Sequence, residues 1–489
     1  LSTEKTKLKE DPEQEFKPSL KHKLHMIFYP EDHKEIMKIT LVLFFQLFFA
    51  VLISQINIML YSWYDNKSYF PAVNKVTILF NAVQFIPSLI ASGALVVGGN
   101  LYGQGRKNEL PVVLMTGLLV NGLICLIIVA ILEGVSPYLL KFVGAKDEPI
   151  IGAMYPTNSE LDWVTKYFRI QISQLFIMSF TQVFISGLQV VRKQKHIMIG
   201  AVMSNVVDVF ITASILYWWK ANPIFTSIAI PAANLFQLVY MWLIVKKDIG
   251  FKKLPSDKWI NGKFAKEEIK IGVPMTAEMA TFFTFHFVSQ GAIAHIHGSD
   301  EQINELIDLN RVMSSINQYC GTYLQAIGTA ASIMVASSIG KGDTNQAYKD
   351  GINTWRLALY GQFIICLIVL ALLYPLLLAF NIDKFLITKY AFWLWLILIV
   401  IDLGDTVNMT LLRSLWTAGD LWVPLIVSLV TMSIAYGGLP WVVAVTYKGD
   451  PGVSLILIYL MNCIDSVTRA GIYIYMWRSK KWMKYAKKI

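Results

Sequence analysis

The chain has 489 residues, 55% hydrophobic and 16% charged, with a mean hydropathy of +0.51 and a formal net charge of +10. So much apolar sequence in long uncharged runs excludes an ordinary soluble protein, and no segment is long enough to form a soluble domain that would carry a nucleic-acid-binding stripe. Four cysteines (Cys125, Cys320, Cys366, Cys463) stand in apolar runs at no metal-binding spacing and read as buried free thiols.

Residues 1–35 are polar and of mixed charge, as in STEKTKLKEDPEQEFKP. They read as a solvated cytoplasmic tail rather than a signal peptide. Twelve apolar runs follow, each near the ~20 residues that cross ~30 Å of hydrocarbon. They lie at 39–60, 76–101, 111–132, 168–191, 196–218, 224–245, 271–294, 312–338, 355–379, 391–412, 421–446 and 452–477. The expected organisation is an N-terminal six-helix lobe over 36–245, a cytoplasmic connector over 246–270, a C-terminal six-helix lobe over 271–478, and a basic cytoplasmic tail over 479–489. Within the connector, Phe264 to Ile271 is expected to form a short surface helix.

Basic residues set the orientation. Arg106, Lys107, Arg192, Lys193, Lys195, the eight lysines from Lys246 to Lys270, Lys341, Lys349, Arg413 and the basic C-terminus all fall on one side if both termini are cytoplasmic. The opposite loops hold fewer. Lys outnumbers Arg by 35 to 8, which points to a bacterial host and hence its plasma membrane.

Between the second and third runs stands GGNLYGQGRKNEL (98–110). Gly98 and Gly103 have the spacing of a P-loop, but Gln104 and Gly105 occupy the positions where that loop needs Lys and Ser/Thr. The segment is instead a turn between two membrane helices. It has an echo: LYGQGRKNEL (101–110) matches SIGKGDTNQA (338–347), at an offset of 237 between Gly103 and Gly340. A second echo, at an offset near 224, pairs GLQVVRKQKHIMIG (187–200) with LLRSLWTAGDLWVP (411–424). Both pairs sit at equivalent places in two six-run halves. Six is even, so the halves enter the membrane alike as parallel repeats, a construction of secondary transporters with sites at the repeat interface.

On these repeats, on LLRSLWTAGDLWVP, and on IGVPMTAEMATFF (271–283) with its proline before a buried glutamate, the sequence resembles the MATE (multidrug and toxic compound extrusion) family, over about 36 to 478. That resemblance implies an all-α membrane fold: twelve transmembrane helices as two parallel six-helix repeats, in a V-shaped pair of lobes. It also implies a central cavity facing alternately in and out, and export driven by inward H⁺ or Na⁺ without ATP.

Ionisable groups in the runs mark functional candidates, since each costs ~2.5–3.5 kcal/mol at the bilayer centre. Asp402 and Asp405 share one face of the tenth run. Asp402 precedes Arg413 by a spacing similar to that of the family's cation-site aspartate. Glu278 follows Pro274 in the seventh run, one turn closer than the family's glutamate, and Asp208 is midway along the fifth. These four are the expected cation-coupling residues. Asp402 and Glu278 are the pair for Na⁺ if Na⁺ couples; the competing reading for each acid is a carboxylate satisfied by neighbouring helices. Asp465 and Arg469, at i and i+4, read as a structural ion pair.

Gln46, Gln171, Gln174, Gln182, Phe282, Phe283 and His286 are expected to line the substrate cavity, with helix–helix hydrogen bonding as the alternative for the glutamines. Gln171, Gln174 and Gln182 are read as one face, with Gln189 off it. A buried acid beside aromatics favours organic cations as cargo. The expected protein is therefore not an enzyme but a monomeric exporter of amphipathic cationic small molecules, held by membrane lipid. It uses no cofactor beyond H⁺ or Na⁺ and binds no nucleic acid. A lipid-linked oligosaccharide flippase and a non-transporting receptor or scaffold are the alternatives.

Overall fold

The computed structural model describes residues 33–63, 69–142, 145–150, 152–155, 157–253, 258–380 and 382–487. The expected tail over 1–35 lies almost wholly outside the described residues. The chain forms α1 (His33–Trp63), α2 (Phe70–Val83), α3 (Ser88–Gly103), α4 (Leu110–Phe142), α5 (Glu160–Val190), α6 (Gln194–Ala213) and α7 (Ala229–Asp248). The second half follows with α8 (Gly262–Ile293), α9 (Asp300–Lys341), α10 (Thr344–Ala379), α11 (Phe392–Thr417), α12 (Trp422–Met432), α13 (Leu439–Thr446) and α14 (Pro451–Arg478).

Side chains at the helix starts explain several boundaries. Ser159 accepts from Asp162 N at the head of α5, Ser299 and Gln302 form a capping box at α9, and Asp450 caps α14 ahead of Pro451. Each satisfies amides that a first turn leaves unpaired.

Among the described residues, ten segments are long and apolar enough to cross a membrane. Two of the twelve expected crossings fall short of that measure. The second is broken at 84–87 into α2 and α3, where Pro87 has no N–H to donate. Asn121 of α4 repairs the break: its Nδ2 donates to Pro87 O and Ser179 O, both at 2.9 Å, and its Oδ1 accepts from Ile90 N at 3.3 Å. The seventh, α8, carries Glu278, His286 and several threonines that lower its hydropathy. The expected surface helix at Phe264–Ile271 is no separate element but the first part of α8. Its inner face (Phe264, Glu268 and Ile271) is buried, while Lys266, Ile269 and Lys270 on its outer face are exposed.

α1–α7 and α8–α14 form two lobes, which meet where α3 packs on α8 and α9 and where α1 packs on α9. The 237-residue echo extends to individual hydrogen bonds. Arg106 N donates to Leu101 O and Asp343 N to Ser338 O, each at 3.0 Å. The second glycines, Gly105 (φ 78°) and Gly342 (φ 85°), take the left-handed conformation that ends the helix. The first glycines hold the lobes together: a Cβ on Gly103 would lie 2.1 Å from Ser337 O, and one on Gly340 2.0 Å from Asn100 O. The second echo lands at 227 rather than 224. Lys193 N bonds Leu188 O, Asp420 N bonds Leu415 O, and the left-handed residues are Arg192 and Gly419.

The C-terminus closes the same end. Trp482 is buried and stacks on Trp477 with centroids 4.2 Å apart, and Asn100 Nδ2 of α3 donates to Lys487 O at 3.1 Å.

Candidate functional site

Above that tight end, a cavity of about 340 Å³ lies between the lobes. The N-terminal lobe lines it with Gln46 of α1, Ser92 of α3, and Gln182 and Gln189 of α5. The C-terminal lobe contributes Glu278, Phe282 and Phe283 of α8, Asp405, Arg413 and Trp416 of α11, and Arg469 of α14. Among the described residues, every charged lining residue comes from the C-terminal lobe.

Glu278 accepts from Arg469 Nη1 at 3.2 Å and from Ser428 at 3.4 Å, and Ser428 in turn meets Tyr473 Oη at 2.7 Å. Arg469 also holds Asp465, at 2.8 Å through Nε and 2.6 Å through Nη2. Asp465 and Arg469 are therefore not an isolated pair; the guanidinium bridges two carboxylates, one of them on the cavity wall. Asp405 accepts from Asn408 and from Ser466, each at 2.9 Å. Arg413 bonds neutral atoms, Thr329 Oγ1 at 3.0 Å and Gln325 O at 3.5 Å. Its place in the cavity wall corrects its reading as part of a basic loop flank.

Asp402 is buried one layer behind the cavity, between α9, α10 and α11. Its Oδ1 accepts from Asn317 Nδ2 at 3.2 Å, and its Oδ2 from Gln362 Nε2 at 2.8 Å and Cys366 Sγ at 3.4 Å. Asp402 and Asp405 thus sit one helical turn apart with separate partners. Asp402 and Glu278 are not brought into one ligand set, and no cluster of three metal-ligating side chains occurs among the described residues. Within this region four carboxylates (Glu278, Asp402, Asp405, Asp465) face two guanidiniums (Arg413, Arg469).

Other expected residues lie elsewhere. Asp208 is buried within the N-terminal lobe on α6, away from the cavity wall. Gln171 and Gln174 are also buried in that lobe, and Gln174 Oε1 accepts from Asn234 of α7 at 2.9 Å. The cavity is lined instead by Gln182 and Gln189. Eighteen residues make about five full turns, so Gln189 shares its azimuth with Gln171 but lies ~27 Å further along the helix. Face alone does not select the liners; depth does. His286 stands beside the cavity, its ring between Phe282 (5.5 Å) and Tyr436 (5.6 Å).

Asn317, Gln362, Ser428 and Arg413 were not picked out as site residues. The first two are neutral amides in apolar runs, which a rule restricted to ionisable groups passes over.

Two six-helix lobes around a cavity with membrane-buried charge define a multi-pass membrane transporter. The sequence profile of the MatE family matches residues 43–213 and 274–439, and the chain belongs to the MATE family. The uncharacterized transporter YisQ of Bacillus subtilis (strain 168) is 22% identical over 433 residues, 88% of this chain and 90% of that protein. Among solved structures, a MOP superfamily transporter from Pyrococcus furiosus Vc1 (DSM3638) matches with a TM-score of 0.78 at 14% identity, covering 95% of this chain and 98% of that one. An outward-facing multidrug resistance MATE transporter matches with a TM-score of 0.79 at 13% identity, over the same shares of the two chains. MATE transporters have twelve transmembrane helices in two lobes and handle small-molecule substrates.

Proposed function

We propose that this protein is a secondary active antiporter that exports amphipathic, cationic small molecules in exchange for H⁺ or Na⁺. The observation that carries this reading is the imbalance of four carboxylates against two guanidiniums beside one cavity. In a low-dielectric site, uncompensated carboxylates ionise only when a cation arrives. A proton, a sodium ion and the head of a cationic substrate therefore compete for the same deficit, and the entry of one releases the other.

Asp402 is suited to the coupling cation. It has only neutral partners, and the amide oxygens of Asn317 and Gln362 have no hydrogen-bond partner among the described residues. As oriented, these amides donate to the carboxylate. Rotated, they present oxygens to a hard cation such as Na⁺. Glu278 and Asp405 meet the substrate. Arg469, held also by Asp465, keeps Glu278 in place when a cation leaves.

Transport proceeds by rocking of the lobes 36–245 and 271–478 about the cavity, joined by the connector 246–270. The basic loops put the Gly-x-Gly end in the cytoplasm, with both termini. The conformation described is then closed to the cytoplasm. The protein works as a monomer in a bacterial plasma membrane and needs no cofactor beyond the ion. A flippase for lipid-linked anions would need a cationic cavity, which four acids against two arginines disfavour.

The test is uptake and release of a fluorescent cationic dye in proteoliposomes under imposed pH or Na⁺ gradients. Asp402→Asn is expected to abolish gradient-driven flux while the protein stays folded. Wild-type flux in Asp402→Asn would remove that residue from the mechanism.

A further inference from the structure

Glu268 belongs to the C-terminal lobe, on α8, but is fully buried among helices of the N-terminal lobe. Its backbone sits against α3: a Cβ on Gly93 would lie 2.1 Å from Glu268 O, and one turn on, a Cβ on Gly272 would lie 2.0 Å from Leu89 O. Its side chain reaches α4, where a Cβ on Gly117 would lie 3.4 Å from Oε2, beside Ala94 of α3 and Val183 of α5. Neither carboxylate oxygen has a hydrogen-bond partner among the described residues.

The residues placed beside its carboxylate are Ala94 of α3, Gly117 of α4 and Val183 of α5, none of them charged or titratable. On α8 itself, Lys266 and Lys270 are exposed, and Glu267 pairs with Lys270 at 3.3 Å. An anionic carboxylate sealed in this way costs several kcal/mol, whereas a neutral acid costs far less. Glu268 is not among the cavity-lining residues, so in this arrangement it stands apart from the cavity acids.

We propose that Glu268 is a second proton-binding site, separate from the cavity acids, whose occupancy is linked to closure of the two lobes at the Gly-x-Gly end. Closing buries the side chain and requires a bound proton. Parting α8 from α3, α4 and α5 exposes it to water, where a free carboxyl of pKa about 4.3 gives the proton up. No covalent bond changes; one proton binds on closing and leaves on opening. Acid therefore favours the closed arrangement, and rising pH opens it by about tenfold per unit, the slope of one linked proton. This inference rests on the rocking reading above, since a rigid α8–α3 contact would never expose the group.

The experiment is a distance measurement between nitroxides on Lys107→Cys and Lys341→Cys, which lie at the Gly-x-Gly ends of the two lobes, with Cys463→Ser to remove the one native cysteine that is not fully buried. The full-length protein is followed from pH 5.5 to 8.5, with and without Glu268→Gln. Glutamine has the same shape and stays neutral, and its folding is checked by thermal unfolding. The expected result is a closed-to-open ratio that falls about tenfold per pH unit in the parent and loses one proton's worth of that slope in E268Q, which stays closed at high pH. Repeating the pair with Asp402→Asn and Glu278→Gln should leave the difference intact, because those acids are a different site. Equal slopes with and without E268Q overturn the proposal while leaving rocking in place. A single unchanging distance at every pH and under imposed ion gradients overturns the rocking reading, and the proposal with it.

Discussion

Gly340→Ala is the sharpest structural perturbation this fold offers. The added Cβ would lie 2.0 Å from Asn100 O, 2.8 Å from its carbonyl carbon and 3.0 Å from its Cα. All three are backbone atoms, so no rotamer change relieves the clash; α3 and α9 must separate by more than an ångström. Overpacking of this kind costs about 1–3 kcal/mol. The cost falls only on the arrangement in which the lobes touch at this end, so the closed-to-open ratio should drop by about 5- to 150-fold. Gly321 is the control: it lies on the same helix, and nothing stands within 4 Å of a Cβ built there. Gly321→Ala should leave the ratio unchanged and stabilise the helix slightly. The assay is the nitroxide distance between Lys107→Cys and Lys341→Cys in lipid. If G340A and G321A give the same distance distribution as the parent, the Gly-x-Gly contact is not what holds this end shut.

Gln189→Ala should weaken substrate binding a few-fold, as the loss of one hydrogen bond worth ~0.5–1.5 kcal/mol, whereas Gln171→Ala should alter thermal stability and leave binding unchanged; equilibrium dye binding distinguishes the two. At the opposite end of the molecule, burial raises the Asp450 carboxyl, but bonds from Lys389, Tyr390 and Gly452 N outweigh it and hold the group below its ordinary value. A depressed carboxylate contributes stability that is present above its unfolded value of about 3.9 and is lost as pH falls through the folded one. Asp450→Ala removes this helix cap and should cost ~0.5–2 kcal/mol near neutrality, a difference that shrinks below about pH 4 in thermal unfolding. Arg469→Gln should be more damaging than Asp465→Asn, because it strands two buried carboxylates rather than leaving one ion pair. Losing one partner of a buried pair costs ~3–5 kcal/mol, readable as a lower Tm.

The helices were legible because membrane crossing imposes length and hydropathy on every span. The repeat was legible because the Gly-x-Gly turns need the same backbone twice. The break before Pro87 was not read, although the proline was visible, because hydropathy runs through it unchanged and part of what makes it tolerable comes from Asn121, 34 residues away. Gln171 and Gln189 illustrate the limit of periodicity. A helical wheel reports azimuth, and the cavity selects by depth as well. Arg413 misled because charge near a span's end reads as loop, whereas its guanidinium turns back to Thr329. The unpaired burial of Glu268 was invisible for a different reason: it depends on glycines at 93 and 117, in the other lobe. Glu278 with Arg469 needed two helices nearly two hundred residues apart, and no local pattern encodes that meeting.

The central claim is exchange of a cation against cargo at the C-terminal-lobe acids. It is tested most directly by counter-flow. Proteoliposomes holding a trapped pH or Na⁺ indicator, with no imposed gradient, receive a cationic dye on one side, and dye and ion are followed together. The account predicts that dye movement drives H⁺ or Na⁺ in the opposite direction, and that Asp402→Asn abolishes the ion movement. Dye crossing with no ion counter-flow, or counter-flow unchanged in D402N and E278Q alike, would contradict it.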